Sequence, residues 1–306
     1  MKNNTYEKYS QIIENICREN NIDITFLSDK YVMVLKKDNK IRYITGYKFD
    51  LNNQGLASVA DDKYAMYELL KHHNFNITEY KLIFRRTNFD VCKQYFLNNN
   101  KHIVVKQTDG TCGNYVYQIF DEITLEKIIN KLLEFNSTIT LSPFYDIKNE
   151  YRCIVVNKKI KYSYKKIKPI ITGDGIHTIK ELLELFNPYF FNKSNAFFNK
   201  NYDINEVLQK DKTIEYGWMF NLSKGAKIGE IVKERQIFVN ELAEKIANTL
   251  DISLASIDII EDQNGNFMVI EINSGIMMNN LIKQLPDGAD IAKEIYTEAI
   301  LSMFKK

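Results

Sequence analysis

The chain lacks most of the features that assign a protein to a class at a glance. No apolar run approaches the ~20 residues needed to cross a bilayer, and the opening Met1-Lys2-Asn3-Asn4-Thr5-Tyr6 has no apolar signal stretch. Cysteine is scarce. Cys17, Cys92, Cys112 and Cys153 lie far apart without CxxC spacing, which argues against a disulfide framework or a structural zinc and for a reducing cytoplasm. Neither sign of charge dominates: 41 Lys+Arg against 39 Asp+Glu give a formal net charge of +2, too even for a bulk nucleic-acid binder. The basic residues that do cluster, Lys158-Lys159, Lys161 and Lys165-Lys166-Ile167-Lys168, read first as a solvated face. There is no internal repeat, heptad array or low-complexity tract. A Walker A loop and a GxSxG elbow are both missing. His72, His73 and His102 lack metal-ligand spacing, and His177 reads as part of a helix start. The expectation is a soluble cytoplasmic protein with neither nucleic acid nor membrane as a partner.

What is present is enough for a large core. The 306 residues, 45% hydrophobic and 26% charged, divide into two or three lobes. Tyr6, Tyr9, Ile12, Ile13, Ile16 and Cys17 fall at helical spacing over residues 5–20, and Tyr31–Leu35 and Ile41–Thr45 read as strands joined by a turn. These make a small N-terminal lobe, residues 1–61. Asp61-Asp62 caps a helix through His73. A strand at Lys81–Phe84, a helix at Asn88–Leu97, strands at Ile103–Lys106 and Tyr115–Phe120, a helix at Thr124–Phe135 and a strand at Thr138–Leu141 complete a second lobe, 62–141. The third lobe, 142–306, opens with a hairpin of Tyr151–Val156 and Lys159–Tyr164. Helical patterns follow at Thr178–Phe186, Gly229–Leu250 and Ala289–Phe304. Residues 187–220, rich in Asn, Phe and Lys, give the weakest signal and read as partly mobile.

Two places carry chemistry. Ser256–Ile260 and Phe267–Asn273 read as the strands of one hairpin turned at Asn264-Gly265. Asp258, Glu271 and Asn273 lie in these apolar strands, where an acid is costly unless paired or bound to metal. Such hard oxygen donors suit Mg²⁺, which takes one or two carboxylates and bridges nucleotide phosphates. Chance acids on a wet hairpin face are the competing reading. The second place is the loop Gln107-Thr108-Asp109-Gly110-Thr111-Cys112-Gly113-Asn114. Its glycines let backbone N–H groups approach a phosphate, with Lys106 on the incoming strand. A plain flexible loop is the alternative. Arg152 stands out inside the otherwise apolar Cys153–Val156 strand.

In order along the chain, Asp62-Lys63, Val104-Val105-Lys106 with its loop, Glu150-Tyr151-Arg152 and Asp258…Glu271-Ile272-Asn273 resemble the ATP-grasp superfamily. The closer likeness is to the ATP-grasp module of cyanophycin synthetase and of fused bacterial glutathione synthetases. Gly173-Asp174-Gly175-Ile176-His177-Thr178-Ile179 is similar to their GDG-x-x-TI segment, and Asn221-Leu222-Ser223-Lys224-Gly225 to their NLS-x-G loop. The likeness covers roughly residues 60–280.

The resemblance implies an α+β ATP-grasp fold of three lobes, with nucleotide between the central lid lobe and the C-terminal lobe. It implies ATP-dependent ligation of a carboxylate to an amine, of the amino-acid or short-peptide class, through an acyl phosphate. In that scheme Lys63 and Lys106 neutralise phosphates and the loop with Thr108, Gly110, Thr111 and Gly113 closes over them. Ser142 and Phe144 border the adenine, and Glu150 lies near the ribose. Asp258, Glu271 and Asn273 hold one or two Mg²⁺, or Mn²⁺. Arg152 and Lys166 meet phosphate or a substrate carboxylate, with Asn221 beside them.

Three departures bear on this. Leu141-Ser142-Pro143-Phe144 stands where many relatives have a hinge Glu, so adenine would be read by backbone groups. Ser256 replaces the arginine that D-alanine–D-alanine ligase places two residues before its metal Asp, which argues against that ligase. Ser274-Gly275-Ile276-Met277-Met278 lacks the Pro-Gly common beside the acceptor pocket. A phosphotransferase leaving a stable phosphorylated product and a non-catalytic nucleotide-binding module remain alternatives. So do a carrier-bound substrate and a homodimer formed through the small first lobe.

Overall fold

Three β-sheets, each backed by helices, account for most of the chain. The structure is a computed structural model and describes residues 3–110, 112–186, 202–232 and 237–305. Helix α1 (Asn3–Glu19) is followed by an antiparallel meander of β1 (Asp23–Leu27), β2 (Val32–Lys37), β3 (Lys40–Thr45) and β4 (Lys48–Phe49). Helices α2 (Gln54–Asp61) and α3 (Lys63–His72) lead on. Asp62 sits between them and its carboxylate accepts the N–H groups of Tyr64 and Ala65, capping α3. β1 and α2 go beyond the sequence reading. β1 is a half-exposed edge strand with little apolar patterning, and α2 is only eight residues long.

The second lobe contains β5 (Lys81–Phe84), α4 (Phe89–Asn98), β6 (Ile103–Gln107), β7 (Val116–Ile119), α5 (Glu122–Phe135) and β8 (Thr138–Pro143). Its sheet order is β5-β8-β6-β7, with every pair antiparallel. Leu125, Ile129 and Leu132 on one side of α5 pack on Ile103, Val105, Ile139 and Leu141. The i, i+4 and i+7 spacing of those three residues is what makes α5 readable from sequence.

The third lobe holds β9 (Ile147–Val156), β10 (Lys159–Ile167), β11 (Ile170–Thr172), α6 (Ile179–Phe186), β12 (Thr213–Glu215), β13 (Lys227–Ile231), α7 (Ile237–Thr249), β14 (Leu254–Asp262), β15 (Phe267–Asn273), α8 (Asn279–Gln284) and α9 (Gly288–Lys305). Its main sheet runs β13-β10-β9-β14-β15, and β11 pairs with β12 apart from it. Thr178 and Glu181 close the start of α6 reciprocally, each side chain accepting the other's backbone N–H.

One expectation fails here: residues 229–231 are strand, not the start of a helix. Gly229 lies so close to β10 that a Cβ there would come within 2.8 Å of the Ile167 side chain, a packing relation invisible to helical periodicity. The hairpin turn is also longer than two residues. β14 stops at Asp262 and β15 begins at Phe267, and the Asp262 carboxylate gathers the N–H groups of Asn264 and Asn266 around Gly265 at φ +81°. Residues 187–201 lie outside the described residues, while 213–215, within the weak-signal stretch, form β12.

The two faces of the main sheet have different covers. Strand alternation turns Cys153, Val155, Ala255, Ile257 and Ile259 to one side, against Val239, Ala243 and Ile246 of α7 and Met66 and Leu70 of α3. The other side begins apolar. Ile154, Val156 and Leu254 share a core with Tyr9, Ile13 and Ile16 of α1, Met33, Leu35 and Ile44 of the meander, and Tyr296 and Ile300 of α9. Lys40 and Arg42 donate to the carbonyls of Phe304 and Met303 at the end of α9, where cations suit unsatisfied carbonyls. The first lobe and the last helix are therefore packed as one body. Farther along the same strands this face turns polar.

Candidate active site

Register, more than proximity in sequence, assembles the charged residues. Arg152 lies opposite Asp258, Asp258 opposite Glu271, and Lys166 opposite Glu150. Antiparallel partners point to the same face, and Asn273 lies two residues beyond Glu271. The row therefore carries Lys166 and Glu150 beside Arg152, Asp258, Glu271 and Asn273. Two acids set directly across from each other are unfavourable by themselves, so Asp258 and Glu271 require cations nearby.

Those cations are present. Arg152 grips Asp258 with a fork: Nε donates to Oδ1 at 2.8 Å and Nη2 to Oδ2 at 2.7 Å. Lys166 Nζ donates to Asp258 Oδ2 at 2.9 Å and to Glu150 Oε1 at 2.6 Å. The Lys166 and Asp258 side chains are 3% and 4% exposed, deep enough that each charge depends on its partners rather than on water. Burial pushes the Asp258 carboxyl up, but Arg152 and Lys166 outweigh it and hold the group well below the ordinary carboxylate range. For Glu150, burial wins over the attraction of Lys166 and the carboxyl lies above its ordinary value. Burial and the neighbouring Arg152 pull Lys166 down, but the two acids more than offset them, and its ammonium is held on more tightly than usual.

Glu271 is more open, with its side chain 32% exposed, and its carboxylate lies 3.5 Å from Lys63 Nζ. Lys63 also donates to the Gly110 carbonyl at 2.5 Å, and its backbone N–H donates to the Thr108 carbonyl. One lysine at the start of α3 thus joins the glycine loop to the acidic strand. The loop reaches the third lobe a second time. A Cβ on Gly113, whose φ is +65°, would fall 2.7 Å from Asn221 Nδ2, and Lys224 donates to Asn114 Oδ1 at 2.9 Å. A side chain there would have to displace Asn221 and adopt the left-handed backbone region that favours glycine. Thr108 is buried and its hydroxyl donates to Thr138. Thr111 lies outside the described residues.

Lys106 does not touch the acids. Its Nζ donates to the Tyr80 hydroxyl at 2.8 Å and stands 4.5 Å from the centre of that ring. Tyr80 is a residue that sequence reasoning passed over. Its hydroxyl donates in turn to the Ile270 carbonyl at 3.1 Å. That carbonyl belongs to a bulge: the pairing steps from Asp258↔Glu271 to Ile259↔Val269 and leaves Ile270 without a register partner. Just upstream, Thr78 N–H donates to the Val269 carbonyl and Val269 N–H donates to the Asn76 carbonyl. The chain leading into β5 is therefore docked along the edge of β15. A lone tyrosine before a short strand offers no sequence signal for this role.

Elsewhere in the second lobe Ser142 is buried on β8, opposite Val104. Phe144 stacks on His102 with ring centres 3.9 Å apart and lies 5.8 Å from Trp218. His102 and Trp218 thus stand beside Phe144. Burial keeps His102 below its ordinary pKa and favours the neutral ring, which holds Gln118 at 2.8 Å.

Two carboxylates and an amide on adjacent strands of one face fit a hard divalent cation that completes its shell with water and phosphate oxygens. No group of three or more acidic, His or Cys side chains suited to a metal occurs among the described residues. Any metal held by these side chains would need further oxygen ligands from elsewhere.

A family model described as a RimK-like ATP-grasp domain matches residues 205–299. The glutathione biosynthesis bifunctional protein GshAB of Listeria monocytogenes is 23% identical over 185 residues, covering 54% of this chain and 24% of its own length. The chain thus spans about a quarter of the length of that curated relative. The crystal structure of a bifunctional glutathione synthetase from Pasteurella multocida superposes with a TM-score of 0.57 at 14% identity, covering 97% of this chain and 45% of that one. D-alanine–D-alanine ligase from Bacillus anthracis superposes with a TM-score of 0.53 at 16% identity, covering 83% and 69%.

Proposed function

We propose that this chain, which shares the fold of ATP-grasp ligases and is similar to a RimK-like ATP-grasp domain over residues 205–299, joins a carboxylate to an amine at the expense of ATP. The observation that carries the reading is the meeting of Lys63, the glycine loop and Glu271, three elements that the sequence separates by up to about 200 residues. The triphosphate lies in this meeting place, between the loop and the β14–β15 acids. Lys63 and Lys106 approach it from the α3 and β6 sides. Ser142 and Phe144 border the base, and the Phe144–His102 stack stiffens that wall. Asp258, Glu271 and Asn273 would hold Mg²⁺, which would supply charge stabilisation for the phosphates.

The carboxylate oxygen attacks the γ-phosphorus and ADP leaves. A carboxylate is a poor electrophile until its oxygen becomes a good leaving group, and the acyl phosphate supplies one. The amine then attacks the acyl carbon and phosphate departs. The glycine loop, packed near Asn221 at Gly113 and tied by Lys224 to Asn114, would exclude water that would otherwise hydrolyse this intermediate. Arg152 and Lys166 border the reacting phosphoryl from the sheet floor. The amino-acid or short-peptide class is the proposed substrate range.

A phosphate-release screen with ATP, Mg²⁺ and paired pools of amino acids and small acids tests the proposal. Release should require one partner from each pool, with an amide product of the summed mass less water. Release that needs no amine, with a stable phosphorylated product, would support a phosphotransferase instead.

Tyr80→Phe tests the positioning of Lys106. Removing the hydroxyl leaves the ring in place but breaks both the bond to Lys106 and the tie to Ile270. KM for ATP should rise roughly 10-fold, the scale of a lost hydrogen bond to a charged group, with a smaller change in kcat. A KM within twofold of the wild type would show that Lys106 needs no such support.

A further inference from the structure

We infer that Arg152 is a built-in counter-cation that keeps the divalent metal from binding until a nucleotide brings it. The inference rests on the assignment of Asp258, Glu271 and Asn273 as metal ligands, and goes beyond it by fixing the order in which metal and nucleotide arrive. Both oxygens of Asp258 are already engaged, Oδ1 by Arg152 and Oδ2 by Arg152 and Lys166. The ion-paired charges match one for one, Arg152, Lys166 and Lys63 against Asp258, Glu150 and Glu271, with Lys106 a further cation held on Tyr80. A divalent ion entering alone would meet a neutral cluster, with two cations in contact with the acid it needs. Like-charge repulsion at such short range in a partly buried site is large. A nucleotide triphosphate supplies several negative charges and the remaining oxygen ligands together, so the metal enters as its chelate.

Arg152 is suited to this role more than Lys166. Lys166 is shared with Glu150, so its removal would leave that buried acid without a partner. Arg152 spans both oxygens of Asp258, and its side chain is 23% exposed, against 3% for Lys166. Its fork can slide to a single oxygen and leave the other for the metal. Removing it should turn a neutral site into one with an excess acid, able to hold a divalent ion unaided.

Mn²⁺ provides the readout, because its free ion is counted directly by electron paramagnetic resonance. Titrated without nucleotide, the wild-type protein should bind no Mn²⁺ below the millimolar range. Arg152→Gln should bind at least ~10-fold more tightly, whereas Arg152→Lys, which keeps the charge, should stay like the wild type. Adding Asp258→Asn to Arg152→Gln should abolish the gain and so place the ion at Asp258. Tight wild-type binding of Mn²⁺ alone that Asp258→Asn removes would overturn the inference, and needs no Arg152 variant to fold. An unchanged Arg152→Gln affinity in a protein with native circular dichroism would overturn it too. Calorimetry of the wild type with ATP and Mg²⁺ separately tests the nucleotide site. Its failure would remove the underlying assignment, while the Mn²⁺ result speaks to Arg152.

Discussion

Glu271→Ala is expected to abolish ADP formation, a loss of at least about 1,000-fold in kcat on the scale of a removed electrostatic stabiliser, while leaving the fold intact. The two halves of that expectation have separate causes. Glu271 lies at the edge strand of the main sheet, partly exposed, with a single long ion pair to Lys63. Truncating a residue of this kind costs little, within about 1 kcal/mol. Its carboxylate is the most exposed of the three in the row, whereas Asp258 is gripped on both oxygens and Glu150 is buried, which makes it the readiest ligand for an incoming cation. Comparing ADP release with the urea midpoint of wild type and variant checks both parts. Near-normal turnover in Glu271→Ala would remove the metal assignment.

Lys166→Met has the largest expected effect on stability. The substitution keeps most of the volume but strips Glu150 of its charged partner in a setting where water does not reach it. Removing one member of a buried ion pair typically costs about 3–5 kcal/mol, because the remaining charge is stranded. Asp258 keeps Arg152, so the damage should centre on Glu150. The double variant Lys166→Met/Glu150→Leu should then recover most of the loss, since it leaves no orphan charge. Urea unfolding of the three proteins decides. A loss under about 1 kcal/mol in the single variant, or no recovery in the double, would mean that the quartet is not held as a coupled unit. If the pair exists for chemistry and not for stability, the recovered double variant should fold well and turn over poorly.

Much of the architecture was legible along the chain. The spacing of Leu125, Ile128, Ile129, Leu132 and Leu133 specifies α5 because a helix returns to the same face every three or four residues. The acid pattern of Asp258 and Glu271-Ile272-Asn273 was equally readable, since ionised side chains inside apolar strands have few inexpensive explanations. Legibility failed where the signal was not local. Gly229 looks like part of a helical run, and only its contact with Ile167 explains a strand there. β1 and β12 are short or half-exposed and owe their existence to the neighbours they pair with.

The site divides the same way. Sequence alone determined which residue types are available: the oxygen donors, the lysines at 63, 106 and 166, and a loop with glycine at 110 and 113. Those follow from composition and order, which no folding event can alter. Tertiary structure decided their partners. Register across β10, β9, β14 and β15 put Arg152 onto Asp258 and Lys166 between two acids, and a bulge at Ile270 turned Tyr80 into the support of Lys106. Electrostatic coupling falls off with distance and rises with burial, and both quantities exist only once the strands are side by side.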